Sequence, residues 1–440
     1  MTALNVAVIG AGPAGIYASD ILSKSGMEVC IDLFERLPAP YGLVRYGVAP
    51  DHPRIKQIIV ALYKILQRGD IRLLGNVEVG RDVTIDDLRD HYDAIIIATG
   101  ADRDHPLDIP GVDLPESYGA ADFVSWYDGN PDYPRTWPLK AREVAVLGVG
   151  NVALDVSRVL AKHAEDMLKT EVPANVAEAL AEKPLELREL GKVPDVDVIV
   201  SEEDFDFDEG SEEALRASNQ QRQVVKTLTS YAMADPEEHT ASRRIHIHLF
   251  QSPVEIVADE NGHVKALRTE RTALNGDGTV SGTGVITTWP VQAVYRAVGY
   301  YSSPIPGLPF DERAGVVPNV EGRVIEGDTT KDESAPVIPG VYATGWIKRG
   351  PVGLIGSTKS DAQQTITHLV EDASEGRLHA NTAEVGHEAM VALLESRGVE
   401  FTTWEGWELL DAYEQALGES YGELPGGRGT RERIKVVSRR

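Results

Sequence analysis

Sulfur is scarce in this chain: the 440 residues include one cysteine, Cys30. With no Cys-x-x-C pair and no cysteine cluster, the polypeptide carries neither a disulfide relay nor an iron–sulfur centre of its own, and no metal site is expected. Any electron chemistry therefore needs a bound organic cofactor. Cys30 itself sits inside an apolar strand pattern and reads as a core residue. No run of about 18 apolar residues occurs, so no membrane span is expected. The first strand starts too near the N-terminus to leave room for a signal or transit peptide, which points to a cytoplasmic protein. Positive charge is also short. With 43 Lys+Arg against 69 Asp+Glu the net charge is -26, which argues against nucleic acid or an anionic membrane as the main partner while leaving room for a local basic patch. The length exceeds what one core usually covers, so two domains are expected.

Glycine, by contrast, falls in a telling place. Val6-Ala7-Val8-Ile9 runs into Gly10-Ala11-Gly12-Pro13-Ala14-Gly15, and a second apolar strand, Val29 to Phe34, ends in Glu35. This order is that of a dinucleotide site. Gly10 permits the tight strand-to-helix turn, Gly12 lets backbone approach a pyrophosphate, and Gly15 lets helix and strand pack closely. The pyrophosphate then sits at the helix N-terminus, where free amides and the helix dipole favour an anion. Glu35 falls where a carboxylate can accept hydrogen bonds from the ribose hydroxyls. The prolines and glycine of Glu35 to Arg45 read as a cofactor-covering loop.

Farther on, Ile55 to Leu66 has helical spacing, Ile71 to Leu74 reads as a strand, and Tyr92 to Gly100 is a continuous apolar strand of the kind buried on both faces of a parallel sheet. A second nucleotide unit begins at Val144-Ala145-Val146-Leu147, followed by Gly148-Val149-Gly150-Asn151-Val152-Ala153. Ala153 replaces the third glycine, as the looser form of the fingerprint allows. Val291 to Tyr300 reads as another strand, and Ser302 to Gly307 as a crossing between domains. Ala98-Thr99-Gly100 recurs as Ala343-Thr344-Gly345. Two such strand endings flanking an inserted nucleotide unit suggest a discontinuous first domain. The expected fold is α/β, with two Rossmann-like domains on parallel sheets and the second inserted in the first.

Three long strings carry a resemblance: Tyr41 to Pro53, Gly150 to Asp155, and Trp346 to Gly356. They are similar to the corresponding segments of adrenodoxin reductase-like ferredoxin-NADP reductases, and the similarity runs from residue 5 to about 425. The resemblance implies an FAD-binding domain at 1–106 and 303–440 and an NADP-binding domain at 107–302. It implies FAD contacts at Gly10, Gly12, Pro13, Ala14, Gly15, Glu35, Gly42, Leu43, Trp346, Gly353, Leu354 and Ile355. For NADP(H) it implies Gly150, Asn151, Val152, Glu186 and again Gly353. It further implies electron transfer from NADPH through FAD to a ferredoxin-type iron–sulfur protein. His52 and Asp155 match polar family positions, and imidazole beside carboxylate suits a proton and orientation network near the rings. Their alternatives are a turn cap and a first-turn acid favoured by the helix dipole.

One part of the pattern is missing. The family's second unit continues into a strand ending in paired arginines that grip the 2′-phosphate of NADPH, and a strand, the pair and a loop are lacking near 184–185. A diaphorase acting on quinones, or a flavin-binding protein with impaired nicotinamide turnover, are therefore the rival readings. Arg222, Lys226, Arg243 and Arg244 form a candidate docking patch for an acidic ferredoxin, because steering depends on local rather than net charge.

Overall fold

The computed structural model describes all residues except 1–2, 163–166, 182–195, 206, 236–239, 242, 328–333, 354, 379–386, 421–432, 434 and 437–440. Successive side chains of a strand point to opposite faces, so a strand apolar at every position needs cover on both. The strand β1 (Leu4–Ile9) has that cover. It lies in a seven-stranded sheet ordered β15-β16-β17-β4-β1-β2-β3, the others being β2 (Val29–Glu35), β3 (Ile71–Gly75), β4 (Ala94–Ile97), β15 (Asn319–Val320), β16 (Arg323–Ile325) and β17 (Val337–Ala343). The strands β3, β2, β1, β4 and β17 are parallel. Val6, Val8, Ile31 and Leu33 face helix α1 (Pro13–Ser23) and the helix Ile355–Ser374. Ala7, Ile9, Phe34, Ile95 and Ile97 face the other way, among Leu88, Met390 and Leu394.

The pairing of β17 with β4, Val341 opposite Ile95 and Ala343 opposite Ile97, closes the sheet with residues 246 or so positions apart. The chain between them leaves this sheet, forms an inserted part and rejoins the sheet at β15 and β16. The inserted sheet is parallel, in the order β6-β13-β7, from β6 (Ser117–Gly119), β7 (Val144–Leu147) and β13 (Ala293–Arg296). Helices α6 (Ala120–Tyr127) and α7 (Asn151–Ala161) cover one face through Phe123, Tyr127, Val156 and Val159. An antiparallel sheet of β10 (Gln251–Ala258), β11 (Val264–Leu274) and β12 (Val280–Pro290) lies against the other through Ile256 and Leu267. The helices between α1 and α6 are α2 (Leu43–Tyr46), α3 (Pro53–Lys56), α4 (Ile58–Leu66) and α5 (Ile85–His91).

Two sequence expectations need correction. Val291 to Tyr300 is not one strand: β13 stops at Arg296, Gly299 turns with φ +120°, and β14 (Tyr300–Tyr301) pairs instead with β5 (Arg103–Asp104). Those two short strands carry the two crossings between the sheets, just ahead of the proline-rich stretch. The expected helix at 55–66 is two helices, α3 and α4. Arg243 and Arg244 open a strand, since β9 (Arg243–Ile247) pairs in parallel with β8 (Val196–Val200) from Arg243 onward. That pair stands apart from β7, so among the described residues the second parallel sheet is interrupted after its first βα unit. The junction at 184–185 and Glu186 lie outside the described residues.

Candidate functional site

The two glycine turns present the same geometry. Gly10 has φ +109°, and a Cβ there would stand 2.5 Å from the Ala98 carbonyl oxygen at the end of β4. Gly148 has φ +118°, with the Ala297 carbonyl 2.3 Å from such an atom. Only glycine fits either position. Gly12 and Gly150 then cap α1 and α7 with extended backbone and no capping side chain, leaving the first amides of each helix free for an anion. Pro13 is the first residue of α1; Asn151 and Val152 are the first two of α7. Around Gly150 a Cβ would meet nothing within 4 Å, so backbone faces open space there. Both turns fit a pyrophosphate.

The other expected contacts of the first turn gather around it. Gly42, with φ +49°, passes so near that a Cβ would lie 3.1 Å from the Gly12 Cα; Leu43 opens α2 directly after it. A Cβ on Gly345 would fall 2.7 Å from that of Ala14, which sets half-buried Trp346 beside the start of α1. Its ring lies 5.9 Å from Tyr300. Gly353 turns with φ +88° a few residues on. Leu354 lies outside the described residues, and Ile355 begins the helix Ile355–Ser374. Glu35 is buried at the end of β2. Its Oε2 accepts from the Ala11 amide at 2.9 Å and its Oε1 from Leu37 at 3.0 Å. Burial raises its pKa, against the pull of those amides. The carboxylate thus braces the turn, a role the spacing did not disclose.

His52 and Asp155 are brought together from 103 positions apart in sequence: His52 Nε2 stands 3.1 Å from Asp155 Oδ1. His52 caps α3 on the side of the first sheet, and Asp155 lies in the second turn of α7. Sequence reading missed their neighbours. Arg158 donates to Asp155 and forks onto Asp51, which also accepts from Lys162. Burial alone would raise the Asp51 pKa, but those donors hold it far below the usual carboxylate range. An i,i+3 acid–base pair on α7 was the available signal.

Sequence reading also found no chemistry beyond residue 357, yet the C-terminal part reaches the loop and short helix that follow Gly42. Arg45 makes a bidentate, fully buried pair with Glu414, at 3.1 and 2.6 Å, and its guanidinium sits 5.0 Å from the Trp407 ring centre. Lys435 is buried against Asp128 at 3.0 Å and the Arg45 carbonyl at 2.6 Å. Of the docking candidates, Arg222 and Lys226 are exposed one turn apart on the helix Asn219–Ala232, which packs on β8. Arg244 is exposed on β9 beside it; Arg243 opens the same strand.

Two glycine turns aimed from two parallel sheets, with a histidine–carboxylate pair between them, define a protein that sets two dinucleotides against each other. Residues 4–345 match the family model of pyridine nucleotide-disulphide oxidoreductases. The mitochondrial NADPH:adrenodoxin oxidoreductase of Arabidopsis thaliana is 36% identical over 451 residues, covering 94% of this chain and 91% of that protein. NADPH-ferredoxin reductase FprA of Mycobacterium tuberculosis is 35% identical over 463 residues, covering 98% and 97%. The structure of FprA in complex with NADPH superposes with a TM-score of 0.85 at 34% identity, over 99% of this chain and 98% of that one. The chain belongs to the pyridine nucleotide-disulphide oxidoreductase family and, within it, to the adrenodoxin reductase-like NADPH-ferredoxin reductases.

Proposed function

We propose that the chain is an NADPH-ferredoxin reductase that holds FAD on the first turn and NADP(H) on the second and passes electrons to a ferredoxin-type iron–sulfur protein. The observation that carries this reading is the 3.1 Å contact of His52 with Asp155, which ties the flavin-side loop to the first helix of the nicotinamide unit. When bound, NADPH supplies a hydride, which FAD takes up and releases as single electrons. The chain's own part is positioning. The turns at Gly10–Gly15 and Gly148–Asn151 fix the two pyrophosphates, Glu35 holds the ribose of FAD, Gly42 and Leu43 with Trp346 and the Gly353 turn bound the rings, and Val152 lines the nicotinamide side. His52, held by Asp155, keeps a proton within reach of the rings.

Residues 1–106 with 303–440 form the FAD-binding part of this reading, and 107–302 the NADP-binding part with a strand lacking near 184–185. Arg222, Lys226, Arg243 and Arg244 would meet the acidic partner. A cytoplasmic location belongs to the same proposal; no helix among the described residues is long and apolar enough to cross a membrane. The test is anaerobic: NADPH should bleach the flavin, and a ferredoxin should then be reduced at a rate that falls as salt exceeds roughly 0.1 M, where the Debye length is about 10 Å. Reversing Arg222 and Lys226 to glutamate should slow that step and leave reduction of a small neutral quinone unchanged. A flavin that NADPH does not bleach would overturn the assignment.

A further inference from the structure

The pair of His52 and Asp155 is one side of a larger ring of charge. Asp51 and His52 are adjacent in the loop leaving the first sheet, while Asp155, Arg158 and Lys162 occupy successive turns at one side of α7 and its C-terminal cap. Asp51 takes Arg158 Nη2 on Oδ1 at 2.8 Å and Arg158 Nε on Oδ2 at 2.7 Å, and Lys162 Nζ joins on Oδ2 at 2.6 Å. A third guanidinium N–H, on Nη1, reaches Asp155 Oδ1 at 2.8 Å. That oxygen is also the one that meets His52. The side chains of Asp51, Arg158 and Lys162 are 5, 18 and 14% exposed, so these contacts are largely shielded from salt and solvent.

We propose that Arg158 is a positioning residue for electron transfer: by clamping Asp51 and Asp155 across the boundary between the two sheets, it fixes the face that Asp155 shows to His52 and sets how readily His52 takes a proton. The proposal rests on the reading of His52 and Asp155 as groups beside the reacting rings. Its physical basis is a balance. Two carboxylates, Asp51 and Asp155, face two cations, Arg158 and Lys162, so the ring is neutral before His52 is counted. Removing the guanidinium leaves two anions against one cation next to the imidazole, which favours imidazolium.

The other ionisable groups around the pair do not replace that cation. Arg54 on α3 is exposed. Lys56 is engaged with Asp128 and Glu171, Asp128 also pairs with Lys435, and burial keeps the Tyr127 and Tyr300 hydroxyls neutral. A lysine at 158 would keep the charge but not the planar fork that grips two carboxylates at once. Charge and geometry are therefore separable.

The experiment compares the full-length holoenzyme with Arg158→Met and Arg158→Lys. Three quantities are followed: the His52 titration by NMR of histidine-labelled protein, assigned with His52→Gln; the pH profile of flavin reduction by NADPH; and thermal unfolding. In Arg158→Met the His52 midpoint should rise by roughly half a pH unit to one unit, the pH profile should move with it, and the rate should fall about tenfold or more. In Arg158→Lys the midpoint should stay put while the rate still falls severalfold. A folded Arg158→Met with unmoved midpoint and rate overturns the proposal, as does a loss of thermal stability alone. Should Arg158→Met not fold, Arg158→Lys decides: a wild-type rate there overturns the clamp. A wild-type flavin that NADPH fails to reduce, or His52→Gln with an unchanged rate, overturns instead the reading beneath it.

Discussion

The turn after β1 and the turn after β7 are nearly superimposable in backbone terms, and the units around them are not. Gly10 and Gly148 have φ +109° and +118°; Gly12 and Gly150 both have φ -76°, with ψ -179° and 175°, and each helix that follows has 11 residues. Beyond the turn the two part. In the first unit the chain returns beside β1 as β2, pairing from Leu4 opposite Val29 to Ile9 opposite Phe34, and delivers Glu35 to the turn. In the second, the next described strand, β8, pairs with β9 and not with β7. The difference teaches that a pyrophosphate site is a property of five or six local residues, whereas the ribose end of a dinucleotide site depends on a separate strand arriving in register.

The largest effect that would sharpen this contrast lies at the third small residue. A Cβ on Gly15 would stand 1.9 Å from the Gly10 carbonyl oxygen, a backbone atom that cannot move without opening the turn. Gly15→Ala should therefore cost roughly 3 kcal/mol and strip the flavin. Its mirror image is mild. Ala153, 2% exposed in α7, already fits its unit, and Ala153→Gly should cost only about 1 kcal/mol, the helix-propensity difference, with NADPH still bound. Flavin content and thermal midpoints of both variants check the pair. Comparable losses from the two substitutions would break the contrast.

Next in size is coenzyme choice. Gly150, Asn151 and Val152 can hold a pyrophosphate whichever nicotinamide coenzyme carries it, but the described residues place no pair of arginines on a strand beside β7, where β13 ends in the single Arg296. Two charge-assisted hydrogen bonds to the 2′-phosphate are worth roughly 1.5–3 kcal/mol each. Their loss lowers the NADPH preference by about a hundredfold or more, so rates of flavin reduction by NADPH and NADH measured side by side should differ little. A strong preference for NADPH would mean that another residue supplies the clamp.

Legibility in the sequence follows the same division between local and remote. Strands apolar at every position, the glycine turns and the repeated Ala-Thr-Gly endings are local patterns, and each marks an element that the two parallel sheets contain. The approach of His52 to Asp155 could be anticipated only through a family resemblance. Arg45 with Glu414 and Lys435 with Asp128 join residues 369 and 307 positions apart, and no periodicity encodes such pairs. The antiparallel sheet went unread for another reason. Most residues of Val280–Pro290 are exposed, so that strand carries no alternation of burial for the sequence to record.

The smallest expected effect separates the two parts by pH, through one acid in each. Asp372 lies in the helix that covers the first sheet. Its burial alone would raise its pKa, but hydrogen bonds from Arg323, Tyr342 and Arg377 bring it down to about 2. A carboxylate with a lowered folded pKa contributes stability that is present above about pH 4 and is lost as pH falls toward 2. Asp104, at the crossing into the second part, has the opposite sign. It accepts the Ala121 amide at the start of α6 at 3.0 Å, yet burial, with Asp122 nearby, raises it to about 6. The folded form thus holds its proton where the unfolded chain has released it, and stability from this group declines as pH rises from about 4 to 6, then levels off. Asp104→Asn keeps an oxygen for the Ala121 amide and has no proton to lose. Relative to wild type it should gain stability between pH 4 and 7, read as a thermal midpoint difference that widens over that interval. A difference that stays constant across the interval would show that Asp104 ionises freely in the folded protein.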